Sequence, residues 1–354
     1  MVSDIVKFAS FYVPSIKRLD YFKKNKNDLL NKYSLEQSFG KEKTKFFFEL
    51  LNNKKKDIDK ILLEEKNGDL KIIDWFSDEY PQRLKQIPDA PPFIFVRGNC
   101  ELLHRDTIVA MVGARKTDEY GKRVAEEISH KVSVNNVTIV SGLAAGIDSI
   151  CHLGSIESNG STIAVTAVDC GGFPAVNREL CEKIKNKGLL VSEYPYSIEV
   201  RPEMFVIRNR IIAGLSDGVV VMRATLKSGS LWTAEFALNY DRDVMAVPGN
   251  IYENLSSGTN VLIKRGAVAV FNYKDVLDYI NVDEITFEER KELLLELSLS
   301  EKKILSHMCA KEIYIDDLII KTKIPSYETM RLLNMLVFKG FVKKIPGNKF
   351  YKNI

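Results

Sequence analysis

TIVAMVGARKTDEYGKRVAEEISHKV, residues 107–132, decides the fold. An apolar run, Thr107–Val112, predicts a strand that stops at the turn Gly113-Ala114-Arg115. A helix is predicted over Asp118–Val132, with Asp118 and Glu119 in its first turn, where acidic side chains oppose the positive helix end. The same event recurs downstream. The turns Ser141-Gly142-Leu143-Ala144-Ala145-Gly146-Ile147-Asp148, Ser228-Gly229-Ser230-Leu231-Trp232-Thr233-Ala234 and Val247-Pro248-Gly249-Asn250 each follow an apolar strand. Repeated strand-turn-helix units build a doubly wound, mostly parallel α/β sheet with its turns gathered at one edge. Glycine lets the backbone approach a ligand there, and each helix start offers N–H groups to an anion. A phosphate-binding edge is therefore expected.

Strands are predicted at Leu70–Trp75, Phe93–Asn99, Val137–Ser141, Ser161–Val168, Leu189–Glu193, Gly218–Arg223, Asp243–Val247 and Val268–Asn272. Helices are predicted at Asp148–Glu157, Asn177–Lys187, Phe205–Leu215, Ser228–Tyr240 and Asn260–Arg265. Upstream, Lys7–Phe11, Leu19–Lys32, Gly40–Leu51 and Lys56–Glu65 carry apolar residues at helical spacing. Pro81, Pro88, Pro91 and Pro92 break regular structure between Tyr80 and Pro92. The expected organisation is a helical module over 1–70, a Rossmann-like domain over 71–281, a charged linker helix over 282–298 and a winged-helix domain over 299–354. The last rests on helices opening at Ser300 and Glu301, over Ile315–Lys321 and over Ser326–Lys339, followed by strands that flank Pro346-Gly347-Asn348.

The 354 residues carry a net charge of +4, which hides an uneven distribution. Residues 1–60 hold 14 Lys/Arg against 8 Asp/Glu, and residues 298–354 hold 11 against 5, so each end carries +6 and the middle −8. Basic ends suit an anionic partner, although a Lys- and Asn-rich coding bias gives the same excess. The five cysteines form no C-x-x-C pair and the four histidines have no ligand spacing, so neither a disulfide framework nor a metal site is expected. Residues 1–15 do not read as a signal peptide and no apolar run is long enough to span a bilayer, so a cytoplasmic location without membrane association is expected.

Arg115 and Lys116, just past Gly113, place two cations at a helix start, where an Arg fork and helix N–H groups can share one phosphate. A dinucleotide fingerprint is absent, and Ser141 stands where an acidic ribose partner would end the next strand. Gly142 and Gly146 shape the second turn. Arg208-Asn209-Arg210 lies within an amphipathic helix. Two residues apart, the arginines point in different directions, so one can face the turn edge while the other pairs internally. The spacing does not say which. Lys227 precedes Ser228-Gly229-Ser230, a candidate phosphate nest. Tyr120, Phe173, Phe205 and Trp232 lie near turns, either as stacking platforms or as core and rim aromatics. Asp148 reads as a helix-start residue and Glu193 has no evident partner, so no acid/base pair is assembled and no enzyme activity or cofactor is expected.

The motifs together resemble the DNA-processing protein A family (DprA, also called Smf). They are VGARKTDEYG at 112–121, SGLAAGID at 141–148, FPAVNREL at 173–180, LLVSEYP at 189–195, FVIRNRIIAGLSD at 205–217, SGSLWTA at 228–234 and AVPGN at 246–250, followed by GTN at 258–260 and RGA at 265–267. The resemblance implies an extended Rossmann-type domain that binds single-stranded DNA in a basic pocket and forms a homodimer. It also implies delivery of the strand to the recombinase RecA in natural transformation, without enzyme activity. Its pocket positions fall on Gly113, Arg115, Arg208, Asn209, Arg210 and Ser228–Ser230. The family usually carries Arg where Ala145 stands and Glu where Arg223 stands, so Arg223 is expected to replace part of the missing cation.

Two other readings compete. A nucleotide-sensing module could use the same turns. A nucleotide phosphoribohydrolase needs a P-G-G-x-G-T-x-x-E turn, whereas Glu235 here falls one position early after Thr233. The third helix of the C-terminal unit has the lone Arg331, and fits duplex binding and protein docking equally.

Overall fold

The computed structural model describes residues 2–13, 15–169, 178–284, 298–308, 313–338, 341–345 and 349–352. The chain divides into two compact units, Met1–Val282 and Asp283–Ile354.

The larger unit begins with helices α1 (Val2–Ala9), α2 (Ser15–Asn25), α3 (Lys32–Phe39), α4 (Lys41–Asn53) and α5 (Lys55–Lys66). Next come β1 (Lys71–Asp74), the one-turn α6 (Gln82–Lys85) and β2 (Phe93–Gly98). The alternating core is β3 (Ile108–Val112), α7 (Glu119–Val134), β4 (Thr138–Ser141), α8 (Ile147–Glu157), β5 (Thr162–Thr166), α9 (Arg178–Lys187) and β6 (Leu189–Ser192). It continues through α10 (Pro202–Leu215), β7 (Gly218–Val221), α11 (Ser230–Asn239), β8 (Asp243–Ala246), α12 (Asn254–Lys264), β9 (Val268–Ala269) and α13 (Tyr273–Tyr279).

These strands form one sheet in the order β1-β2-β6-β5-β4-β3-β7-β8-β9. The run from β6 to β9 is parallel, while β2 pairs antiparallel with both β1 and β6. Chain order runs outward from β3 through β4 to β6 on one side and from β7 to β9 on the other. The strand order therefore reverses at β3, where a crevice opens at the carboxyl ends in Rossmann-like sheets.

Residues alternate between sheet faces, and both faces are covered. Ile108, Ala110 and Val112 pack with Ile211, Ile212 and Leu215 of α10 and with Ala234 and Ala237 of α11. Val109 and Met111 pack on the opposite face with Ala125, Ile128 and Val132 of α7, Cys151 of α8 and Val276 of α13. The continuous apolar strands seen in the sequence follow from this double burial. The N-terminal helices share a core with the sheet margin, in which Phe8, Phe11, Phe22 and Phe47 join Phe93 and Phe95.

Several boundaries differ from the sequence reading. The helix expected over Leu19–Lys32 stops at Asn25, and α3 starts after Asn31, whose side chain accepts from the Ser34 N–H at 2.9 Å. A helix turn begins directly after Pro81, within the segment read as broken. α12 starts at Asn254 rather than Asn260, and Gly258 within it packs against backbone: a Cβ there would lie 2.7 Å from the Thr225 carbonyl. The strand expected to reach Asn272 stops at Ala269, since Asn272 and Asp275 form a capping box that opens α13.

The smaller unit contains α14 (Leu299–Ser306), β10 (Ile313–Tyr314), α15 (Ile315–Thr322), α16 (Ser326–Phe338), β11 (Val342–Ile345) and β12 (Lys349–Lys352). Its three strands form an antiparallel sheet in the order β10-β12-β11. Ser298 and Glu301 cap α14 reciprocally. Leu318, Leu333, Leu336 and Phe350 lie in its core. The expected linker helix over 282–298 falls mostly outside the described residues, as do Phe173, Cys170, Cys309 and the turn at 346–348.

Candidate nucleic-acid interface

The turns after β3 and β4 are stitched together beneath the sheet edge by one carboxylate. Asp148, in the first turn of α8, accepts from the Gly113 N–H at 3.4 Å and from the Gly142 N–H at 3.1 Å. Burial pushes its carboxyl upward, while Arg208 and the backbone donors pull it back. The sequence marked Asp148 only as a helix-start residue; its cross-loop bonds depend on chain segments brought together by the fold. Gly146, at φ +84°, lets the first turn pass over the second, since a Cβ would lie 2.4 Å from the Arg115 carbonyl. Gly142 gives Arg208 its place: a Cβ there would meet the guanidinium at 2.6 Å.

Arg208 donates through Nη1 to the carbonyls of Gly142 and Val165. It is buried, and among the described residues its Nε has no hydrogen-bond partner. Burial pulls its pKa down to about 10, with Asp148 opposing and the charge of Arg115 adding to the fall. Arg115 and Arg208 therefore share one edge. Arg115 is exposed, its guanidinium 5.9 Å from the ring centre of half-buried Phe205. Lys116, beside it, is also exposed. Neither Arg115 nor Arg208 forms an ion pair with a carboxylate among the described residues. Asn209 reaches the other way, donating to the Gly229 carbonyl at 3.2 Å. Two adjacent residues of α10 thus tie the second turn to the turn that opens α11, where the Ser228 and Ser230 hydroxyls lie 2.9 Å apart.

Arg210 resolves the choice the helix spacing left open. It is the internal partner. Its Nη2 donates to Glu193 at 2.6 Å and its Nε lies 3.6 Å from Asp89. Burial alone would lower its pKa, but these two carboxylates hold it above the ordinary arginine value. Glu193, which lacked an evident partner in the sequence, also accepts from Arg18 of α2 at 3.0 Å. Arg18 lies 4.4 Å from the Tyr194 ring centre and 4.7 Å from that of Phe93. Both arginines are fully buried.

Arg223 does not stand in for the cation missing at Ala145, which is a correction to the sequence reading. Its guanidinium is 1% exposed, pairs with Asp118, and donates to Glu253 at 2.8 Å and to the Ser256 hydroxyl. The Tyr120 ring covers it at 5.0 Å, and the Tyr120 hydroxyl donates to the Pro248 carbonyl. Position 145 itself is exposed on the second turn. Lys227 and Trp232 line, with Ser228 and Glu235, a groove of about 670 Å³ between α11 and α12.

With this geometry in place, the relatives become informative. The family model for DNA recombination-mediator protein A matches residues 71–281, more than half of the chain. The chain belongs to that family. DNA processing protein DprA of Bacillus subtilis is 36% identical over 234 residues, covering 65% of this chain and 78% of that protein. The crystal structure of DNA processing protein A from Streptococcus pneumoniae matches with a TM-score of 0.65 and 34% identity, over 77% of this chain and 95% of that one. A structure of DNA processing protein A from Helicobacter pylori, reported for its single-stranded DNA binding mode, matches with a TM-score of 0.55 and 28% identity, over 60% and 95%. The DprA/Smf resemblance read from the motifs is thereby established for the Rossmann-like region. Among the described residues no cluster of His, Cys, Asp and Glu could hold a metal, and no helix is long and apolar enough to cross a membrane.

Proposed function

We propose that this chain binds single-stranded DNA along the C-terminal edge of its parallel sheet, acts in the cytoplasm as a homodimer, and passes the strand to a RecA-type recombinase in natural transformation. The observation that carries the binding step is the placement of Arg115 over Phe205 and within the field of Arg208, with no ion pair neutralising either cation among the described residues. Cations supply sequence-independent affinity for phosphates, and an aromatic face accepts any base. The start of α11 at Ser228–Ser230 supplies further donors. The structure reported for the H. pylori relative's single-stranded DNA binding supports the same ligand. The C-terminal unit we read as a winged helix, for its three helices and antiparallel sheet. Glu235 falls one position early for the turn that a phosphoribohydrolase needs, which disfavours that alternative.

The test is a salt-dependent titration of a labelled thymidine oligomer. Three or four neutralised phosphates give a logarithmic salt slope of about −2 to −3. Arg115→Ala and Arg208→Ala should each weaken binding and flatten the slope by about 0.7. Unchanged binding in both would move the site off this edge.

A further inference from the structure

The interface described so far ends at Phe205, but the pattern on α10 does not. Arg201, the N-cap of the helix, precedes Phe205 by four residues and Arg208 by seven, which sets it about 10 Å along the axis from Arg208. Arg201 is exposed and forms no ion pair among the described residues. Its guanidinium stands 5.1 Å from the ring centre of Tyr12, which follows α1 in the N-terminal helical layer. Tyr12 is half-buried, and its ring is tilted at 45° against that of Tyr194, 5.9 Å between centres. Tyr12 and Phe205 pack against the same cluster, which includes Val168, Ile198 and Met204. The edge therefore presents two aromatic rings, each with its own arginine: Phe205 with Arg115, and Tyr12 with Arg201.

Resting on the strand-binding reading above, we infer that Tyr12 and Arg201 form a second subsite, in which the Tyr12 ring stacks on a base and Arg201 contacts a phosphate of the nucleotide adjoining the one held at Phe205. The chemistry is that of the first subsite, repeated by a different segment of chain. Tyr12 is pinned by packing before any ligand arrives, so little side-chain entropy remains to be lost on stacking. The N-terminal layer is tied to the sheet by Arg18 on Glu193 and by Glu64 on Arg97. One opposing charge is close: Glu203 acts on Tyr12 together with Glu193. Glu193 is already paired with Arg18 and Arg210.

Thymidine oligomers of increasing length, titrated against the full chain, separate the two subsites. The wild type should gain affinity when the oligomer becomes long enough to reach past Phe205. Tyr12→Ala should lose that gain, roughly tenfold for one lost stacking contact, and leave the shortest oligomers unaffected. Tyr12→Phe should restore it. Arg201→Gln should weaken only the longer oligomers and flatten their salt slope by about 0.7. Glu203→Gln should strengthen them. A 2-aminopurine placed at the distal nucleotide should be quenched by the wild type and by Tyr12→Phe, but not by Tyr12→Ala, with matched thermal midpoints excluding a loss of fold. Equal affinity of Tyr12→Ala and wild type at every length, with an unchanged slope for Arg201→Gln, overturns the subsite while leaving binding through Arg115 and Arg208 in place. Failure of the wild type to bind any oligomer overturns both.

Discussion

Arg115 and Arg208 at the sheet edge differ from Arg210 and Arg223 behind it in what stands opposite them. Arg210 and Arg223 face carboxylates: Glu193 and Asp89 for the first, Asp118 and Glu253 for the second. Their charge is consumed in holding helices and loops together. Among the described residues Arg208 has only carbonyl acceptors and the indirect field of Asp148, and Arg115 has an aromatic face. A count of basic residues therefore misjudges the cationic edge, because a buried and paired arginine contributes structure instead of an anion site. Whether a cation is spare is a property of its neighbours.

The contrast is open to attack, beginning with its most costly member. Glu193→Ala leaves buried Arg18 without its carboxylate and buried Arg210 with Asp89 alone, and should cost about 3–5 kcal/mol in denaturant unfolding. A loss below 1 kcal/mol would show that Arg18 and Arg210 do not depend on it.

Next in size is a pH effect beside Arg208. Burial, reinforced by the Arg208 charge, pulls the His152 pKa from its ordinary 6.5 down to about 3. The unfolded imidazole takes up a proton that the folded one refuses, so this contribution is complete above pH 6.5 and is lost as pH falls toward 3. The loss should reach about 2 kcal/mol at pH 5, and His152→Asn should remove that part of the acid dependence. Identical pH profiles for the two proteins would contradict the assignment.

Arg223→Ala and Arg115→Ala should then separate cleanly. The first should cost about 1–3 kcal/mol through its charged hydrogen bonds and leave the salt slope of strand binding unchanged. The second should leave stability within about 0.5 kcal/mol and flatten the slope. A flattened slope in Arg223→Ala would return Arg223 to the interface. The smallest effect belongs to Ala145→Arg, which adds a cation on the exposed second turn and should steepen the slope by about 0.7.

Much of this was legible in the sequence because it is local. Strands such as Ile108–Val112 and Gly218–Val221 announce themselves by length and apolarity, and the glycine turns behind them fix where helices begin. The ordered motifs carried the family. Less legible were α3 and the start of α12, which fall outside the helices predicted from spacing; at α3 the helix start depends on the Asn31 cap.

By itself, then, the chain's order of residues determined the alternating sheet, the edge at which its turns gather and the presence of several arginines there. Periodicity and turn chemistry act over a few residues and need no partner. Only the tertiary structure decided which arginines remain unneutralised, because Glu193 meets Arg18 across 175 positions of sequence and Asp118 meets Arg223 across 105. Such pairs form only when the sheet and its helices bring distant segments within hydrogen-bonding distance. Coulomb attraction in that poorly solvated setting then fixes them.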